Sequence, residues 1–198
     1  LLHMKFTKRI FLILIACAIT TNICAIQFRH LSIKDGLSQL SVLSIYQDKL
    51  GRMWFGTEEG INVFDGNNLT AIKTLRNIPP QNLEVRWICG DEKGNIYFQL
   101  GTSIVCIDFA TQSNTVLVKK GVTTLCHHSG KIYYASRGSV YIYNIAKQST
   151  HCMGQLTKDN IKVLHIDSRG TLWFGTHNGL FYFNKKTGRT TLSIKGAY

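Results

Sequence analysis

The sequence predicts an all-β chain assembled from one strand-rich unit used about four times, and three observations predict it. First, "DKLGRMWFGTEEGINVFD" (Asp48–Asp65) and "DSRGTLWFGTHNGLFYFN" (Asp167–Asn184) share eight of 18 positions at a constant offset of 119. Second, the turn glycines Gly51, Gly94, Gly130 and Gly170 recur at intervals of 43, 36 and 40 residues. Each has an aromatic three residues later (Trp54, Tyr97, Tyr133, Trp173) and a polar residue three before (Asp48, Asp91, His127, Asp167). Third, glycine is frequent at 17 and proline scarce at two, and no segment past residue 25 has a helical period. Four antiparallel strands per period of about 40 residues is the pattern of a propeller blade. The fold class is therefore all-β: a partial β-propeller of about four four-stranded antiparallel blades, preceded by an N-terminal signal helix.

Taken in order, residues 1–25 read as a signal peptide. Leu1–His3 precede the start at Met4 and look like an artefact of translation. Lys5, Lys8 and Arg9 form a cationic region before the apolar run Ile10–Ile19, which is short for a bilayer span. Cleavage after Ala25 is one outcome; "LIAC" at Leu14–Cys17 also resembles a lipoprotein box with Cys17 acylated. Either route places the rest of the chain outside the cytoplasm, in the periplasm.

Residues 26–198 then read as blades. "IQFRHLSI" (Ile26–Ile33) alternates and is a lead-in strand; by repeat position it matches the fourth strand of a blade that nothing here precedes. The repeats fall at about 42–75, 85–118, 122–153 and 162–195. In the first, "VLSIYQD" runs into a D-x-x-G turn, whose Asp can accept backbone N–H groups while Gly takes positive φ. "RMWFGT", "INVF" and "LTAIKT" supply the next three strands by period-two alternation. A second turn glycine (Gly60, Gly101, Gly138, Gly179) separates strands two and three of each unit. A blade cannot cover both of its faces, so the repeated Trp or Tyr is expected to pack between neighbours. "WFGT" holds no acid, base or metal ligand at fixed spacing, so it reads as a building block and not as a catalytic motif.

The net charge of +12 falls to 12 − 3 = +9 without Lys5, Lys8 and Arg9. The remaining basic residues are scattered over loops and strand ends, which argues for a solvated surface and against nucleic acid as a partner. Cys89, Cys106, Cys126 and Cys152 could pair in three ways or stay as buried thiols. "CHH" (Cys126–His128) and "HC" (His151–Cys152) lack zinc spacing, so neither a metal nor a cofactor is expected.

The pattern "DGLS…V..I.QD..G..WFGT..GI..FDG" over Asp35–Gly66 resembles the two-component regulator propeller repeat. The resemblance extends from about residue 26 to 198. It weakens in unit two, where "YFQL" (Tyr97–Leu100) stands for "WFGT", and further in unit three, with "YYAS" (Tyr133–Ser136) and His127 for Asp. It implies the periplasmic sensor region of a bacterial hybrid two-component histidine kinase, common in carbohydrate-degrading bacteria. Further blades, a membrane helix and a kinase would belong to the same receptor, which could be a homodimer, and this segment would itself be no enzyme. The chain would then be the N-terminal part of a longer sensor.

Propellers bind at the rim formed by the loops leading into the inner strands and the loops joining strands two and three. The polar residues there are the candidate ligand-binding set: Glu58, Glu59, Arg76, Arg137, His177 and Asn178. Their carboxylate, amide and guanidinium groups suit an oligosaccharide with hydroxyl, uronic or sulfate groups. A propeller enzyme of the lyase or quinone-dependent kind, and a protein-binding scaffold, are the alternatives.

Overall fold

A computed structural model of the protein describes residues 28–72, 83–108, 110–111 and 113–195. The proposed signal helix, Cys17 and Arg76 lie outside these residues. Among the described residues sixteen strands form four separate antiparallel meanders. Blade 1 contains β1 (Val42–Gln47), β2 (Met53–Thr57), β3 (Gly60–Phe64) and β4 (Leu69–Ala71). Blade 2 contains β5 (Ile88–Gly90), β6 (Ile96–Leu100), β7 (Ser103–Ile107) and β8 (Asn114–Val118). Blade 3 contains β9 (Thr124–His128), β10 (Lys131–Ser136), β11 (Ser139–Asn144) and β12 (Ser149–Gln155). Blade 4 contains β13 (Val163–Ile166), β14 (Leu172–Thr176), β15 (Gly179–Asn184) and β16 (Arg189–Lys195). The first strands lie side by side in the order β1, β5, β9, β13, so the sheets fan out from one line as propeller blades do. Among the described residues no helix is long and apolar enough to cross a membrane.

Alternation along each strand dictates how the blades stack. Trp54 and Ile61 of blade 1 meet Ile96, Phe98, Val105 and Ile107 of blade 2. The opposite face of blade 2, with Tyr97 and Ile104, meets Leu125, Ile132 and Tyr134 of blade 3. Ala135 and Val140, on the far face of blade 3, meet Leu164, Leu172 and Phe174 of blade 4. An aromatic buried this way loses ~150–250 Å² of water contact, about 4–6 kcal/mol gross at ~25 cal/mol per Å².

Each junction is completed by one aliphatic residue on the segment leading into the next blade. These are Val85, Val122 and Ile161, each no more than 1% exposed. Val85 donates its N–H to Thr57 O at 2.9 Å, and its carbonyl accepts from Ser44 Oγ at 3.1 Å. Gly56 makes room for this approach: a side chain there would strike Ser44 Oγ and the carbonyl and methyl of Val85.

The D-x-x-G turns close the opposite end of three blades by one device. Asp48 Oδ1 accepts from Leu50 N and Arg52 N at 2.9 and 3.0 Å, and its Oδ2 accepts from Trp54 Nε1 at 2.9 Å. Asp91 does the same for Lys93 N, Asn95 N and Tyr97 OH at 2.9, 3.0 and 2.9 Å. Asp167 does so for Arg169 N, Thr171 N and Trp173 Nε1 at 2.9, 2.9 and 3.0 Å. One carboxylate thus fixes the turn and aims the repeated aromatic. Blade 3 departs from this. Its hairpin is one residue tighter, with Ser129 and Gly130 at φ 49° and 69°, and His127 pairs with Ile132 inside β9. His127 therefore takes a strand position, three residues before the turn glycine, where the other blades place their turn aspartate.

The lead-in segment also differs from expectation. Residues 28–32 are not a strand, and Ile33–Asp35 form a single 3₁₀ turn. Without a neighbouring sheet to pair with, local bonds win: Asp35 Oδ2 accepts from Ser32 N and Ser32 Oγ at 2.8 and 2.7 Å. The chain then lies over blade 1, where buried Asn62 donates to Gly36 O at 3.2 Å and accepts from Ser38 Oγ at 2.6 Å. All four cysteines in the described residues are free thiols.

Candidate functional site

The segments leading into blades 2, 3 and 4 converge at one end of the fan and enclose a hollow of about 410 Å³. Glu84, Arg86 and Trp87 line it from blade 2's lead-in, Gln99 and Thr102 from blade 2 itself, Thr123 from blade 3's lead-in, and Asn160 and Lys162 from blade 4's. Backbone bonds hold the walls: Gly101 N to Glu84 O, Val122 N to Thr102 O, and Thr123 N to Ala135 O, each 2.9 Å. Thr123 Oγ1 donates to Ile161 O at 2.7 Å, which ties blade 3's lead-in to blade 4's.

The chemistry of the lining is mixed. Gln99 is buried, and its Nε2 donates to Gly101 O and Val122 O at 2.7 and 3.0 Å. Its Oε1 and the nearby Thr124 Oγ1 are buried without a hydrogen-bond partner. Arg86 pairs with Glu84 at 2.5 Å, with more than half the arginine side chain in water. Asn160 and Lys162 are exposed. The hollow thus offers an indole, amides, hydroxyls and both signs of charge, a set that recognises a hydroxylated ring better than an apolar one.

The residues anticipated from the sequence sit around this end on separate blades. Glu58 accepts from Gln39 Nε2 at 3.2 Å, and Glu59 lines a second hollow of about 430 Å³ against Leu37, Ser38 and Ile72. Arg137 is exposed at φ 47° in the β10–β11 turn. His177 is exposed, and Asn178 Nδ2 donates to Asp159 Oδ2 at 2.6 Å. None of these lines the convergent hollow. Sequence reasoning passed over Trp87, Gln99, Thr123, Asn160 and Lys162, although an available signal marks their neighbourhood: the aliphatic residues Val85, Val122 and Ile161, each four positions before the strand residue opposite the repeated aromatic.

Electrostatics elsewhere serve the frame. Burial alone would raise Asp48 and Asp91, but hydrogen bonds from Trp54 and Arg52, and from Asn95 and Tyr97, outweigh it and hold both carboxyls below their ordinary value. Asp167 is lowered chiefly by the Trp173 indole. Burial pushes the thiols of Cys106 and Cys126 up to about 12, and Cys89 well above its ordinary value. Burial also lowers His127, whose Nε2 stands 3.8 Å from the Glu92 carboxylate.

Comparison with known proteins adds three findings. The family described as two component regulator propeller matches residues 36–59 and 155–178, in the lead-in and first two strands of units one and four. A histidine kinase of Formosa agariphila is 43% identical over 58 residues, 29% of this chain and 4% of that protein. Among solved structures, the fold matches the extracellular domain of a protein assigned as a hybrid two component system of B. thetaiotaomicron. That match has a TM-score of 0.69 and 15% identity, over 87% of this chain and 23% of the other. It also matches virginiamycin B lyase of Staphylococcus aureus, at TM-score 0.63 and 12% identity over 77% and 55% of the two chains. The chain therefore spans a small part of the kinase and about a quarter of that extracellular domain.

Proposed function

We propose that this chain, which carries two-component regulator propeller repeats, is the propeller sensor segment of an extracytoplasmic receptor and binds an oligosaccharide in the hollow where its lead-in segments converge. The observation that carries the reading is that hollow: three blades contribute to it, and its lining pairs the Trp87 indole with the amides of Gln99 and Asn160, the hydroxyls of Thr102 and Thr123, and the charges of Glu84, Arg86 and Lys162. A ring oxygen lattice bonds to such donors and acceptors while its apolar face covers the indole. The matched repeats and the kinase relative support a signalling role; phosphotransfer would reside in other parts of the receptor. A ligand bridging lead-in segments of different blades acts on their relative placement. It shifts a receptor between two states only by binding one of them better.

Titration calorimetry of the purified chain against a panel of plant and host glycans tests this. One glycan class is expected to bind, and Asn160→Ala with Lys162→Ala should weaken it at least tenfold with the fold intact. Failure of a folded chain to bind any glycan would overturn the ligand class. Turnover of a glycan by the chain would favour a lyase-like activity instead.

A further inference from the structure

The sequence has one Asn-Gly pair, Asn178–Gly179; every other asparagine is followed by a larger residue. The fold sets this pair in the hairpin joining β14 to β15. Thr176 pairs with Gly179, so His177 and Asn178 form a two-residue tip, and both are exposed. A further blade beside blade 4 would not cover them. Glu58 and Glu59 hold the same places in blade 1 and stay exposed with blade 2 packed alongside, as does Arg137 in blade 3 beside blade 4.

Asparagine followed by glycine can lose its side-chain amide without an enzyme. The backbone nitrogen of the glycine gives up its proton to solvent base and bonds to the asparagine Cγ; the Cγ–Nδ2 bond breaks and Nδ2 departs as ammonia. The cyclic imide then takes up water and opens at either carbonyl, to aspartate or to isoaspartate. Amide and water become carboxylate and ammonium, and nothing is oxidised or reduced. Glycine favours the closure because it has no Cβ to obstruct the attacking nitrogen and its backbone turns freely. Gly179 already stands at φ 137°.

The amide that would leave is the one that ties the hairpin to blade 4's lead-in: Asn178 Nδ2 donates to Asp159 Oδ2 at 2.6 Å. Blade 1 has a tie of the same kind with its ends exchanged, Gln39 Nε2 of the lead-in donating to Glu58 Oε2 of the turn at 3.2 Å. Each tie needs one amide and one carboxylate. We infer that Asn178 is a site of spontaneous deamidation, that its bond to Asp159 slows ring closure by holding the side chain to the lead-in, and that the acid produced severs the tie. Two carboxylates would then face each other where a donor is required. The freed segment continues into Asn160 and Lys162, so the change reaches the wall of the convergent hollow.

Incubation of the full chain for several weeks at 37 °C and pH 8, followed by peptide mapping with mass spectrometry, tests the assignment. The peptide holding Asn178 should convert to aspartate and isoaspartate ahead of every other asparagine peptide. Asp159→Ala should speed that conversion at least threefold, towards the rate of the denatured chain, with circular dichroism showing that the variant remains folded. Asn178→Asp stands in for the product: backbone hydrogen exchange at Asp159 and Asn160 should quicken at least threefold while exchange in β14 and β15 is unchanged. Another asparagine converting first, a rate indifferent to Asp159→Ala in a folded chain, or lead-in exchange unaltered by Asn178→Asp would overturn the inference.

Discussion

Replacing Gly56 by Ala and, separately, Gly175 by Ala puts the same methyl at the same blade position in two different surroundings. At Gly56 the new carbon collides with Ser44 Oγ, with the backbone carbonyl of Val85 and, at 2.7 Å, with a Val85 methyl. Val85 is fully buried and its N–H is bonded to Thr57, so the neighbour cannot withdraw without opening the junction. Overpacking a site of this kind costs ~1–3 kcal/mol. Stiffening of the unfolded chain by the lost glycine returns ~0.4–1 kcal/mol where the backbone accepts alanine. The net loss of roughly 1–2 kcal/mol corresponds to a fall in Tm of roughly 2–8 °C for a chain of this size. At Gly175 the only close atom is the Val163 methyl, on a residue 38% exposed that has room to turn aside. That substitution should stay within ~0.5 kcal/mol. Thermal melts followed by circular dichroism read both. A Gly175→Ala cost equal to or above that of Gly56→Ala would refute the reasoning that adjacent blades create the demand for glycine.

Asp48→Ala strands two backbone N–H groups and the Trp54 indole N–H at a buried turn, and should cost about 1–3 kcal/mol in denaturant titration. Because the folded forms of Asp48, Asp91 and Asp167 hold lowered carboxyl pKa values, their contribution is present above the unfolded value near ~4 and is lost as pH falls through the folded values. Tm should therefore be level around pH 6 and drop below about pH 4, and Asp48→Asn should make that drop shallower. Alkylation at pH 8 followed by peptide mapping should label exposed Cys152 within minutes while Cys89, Cys106 and Cys126 react only on unfolding, since burial keeps them as thiols.

The frame of the fold was legible because its devices are local and repeated. The D-x-x-G turn and the aromatic three residues after it need one another: in blades 1, 2 and 4 the carboxylate bonds to the aromatic's polar tip, so both residues leave a trace in the sequence. His127 does not repeat the aspartate's role because one residue is missing from that turn, and spacing counted back from Gly130 cannot reveal on which side the deletion falls. The stretch 28–33 has a strand's alternation, but strand formation needs a partner sheet, and the Ser32–Asp35 bonds require none. The candidate site was legible only as a rim. Polar residues at turn tips, such as His177 and Arg137, point into solvent, whereas the hollow is walled by residues flanking the buried aliphatics of the lead-in segments. Their convergence depends on how three blades are splayed, which no single repeat encodes.

The fan holds together because each lead-in aliphatic is wedged between its own blade and the one before. Nuclear Overhauser contacts from the methyl groups of Val85, Val122 and Ile161 test this most directly. Strong contacts from the Val85 methyls to the Gly56 and Ser44 protons, and corresponding contacts from Val122 to blade 2 and from Ile161 to blade 3, are expected. Contacts confined within each blade, or linking sheets face to face in another order, would contradict it.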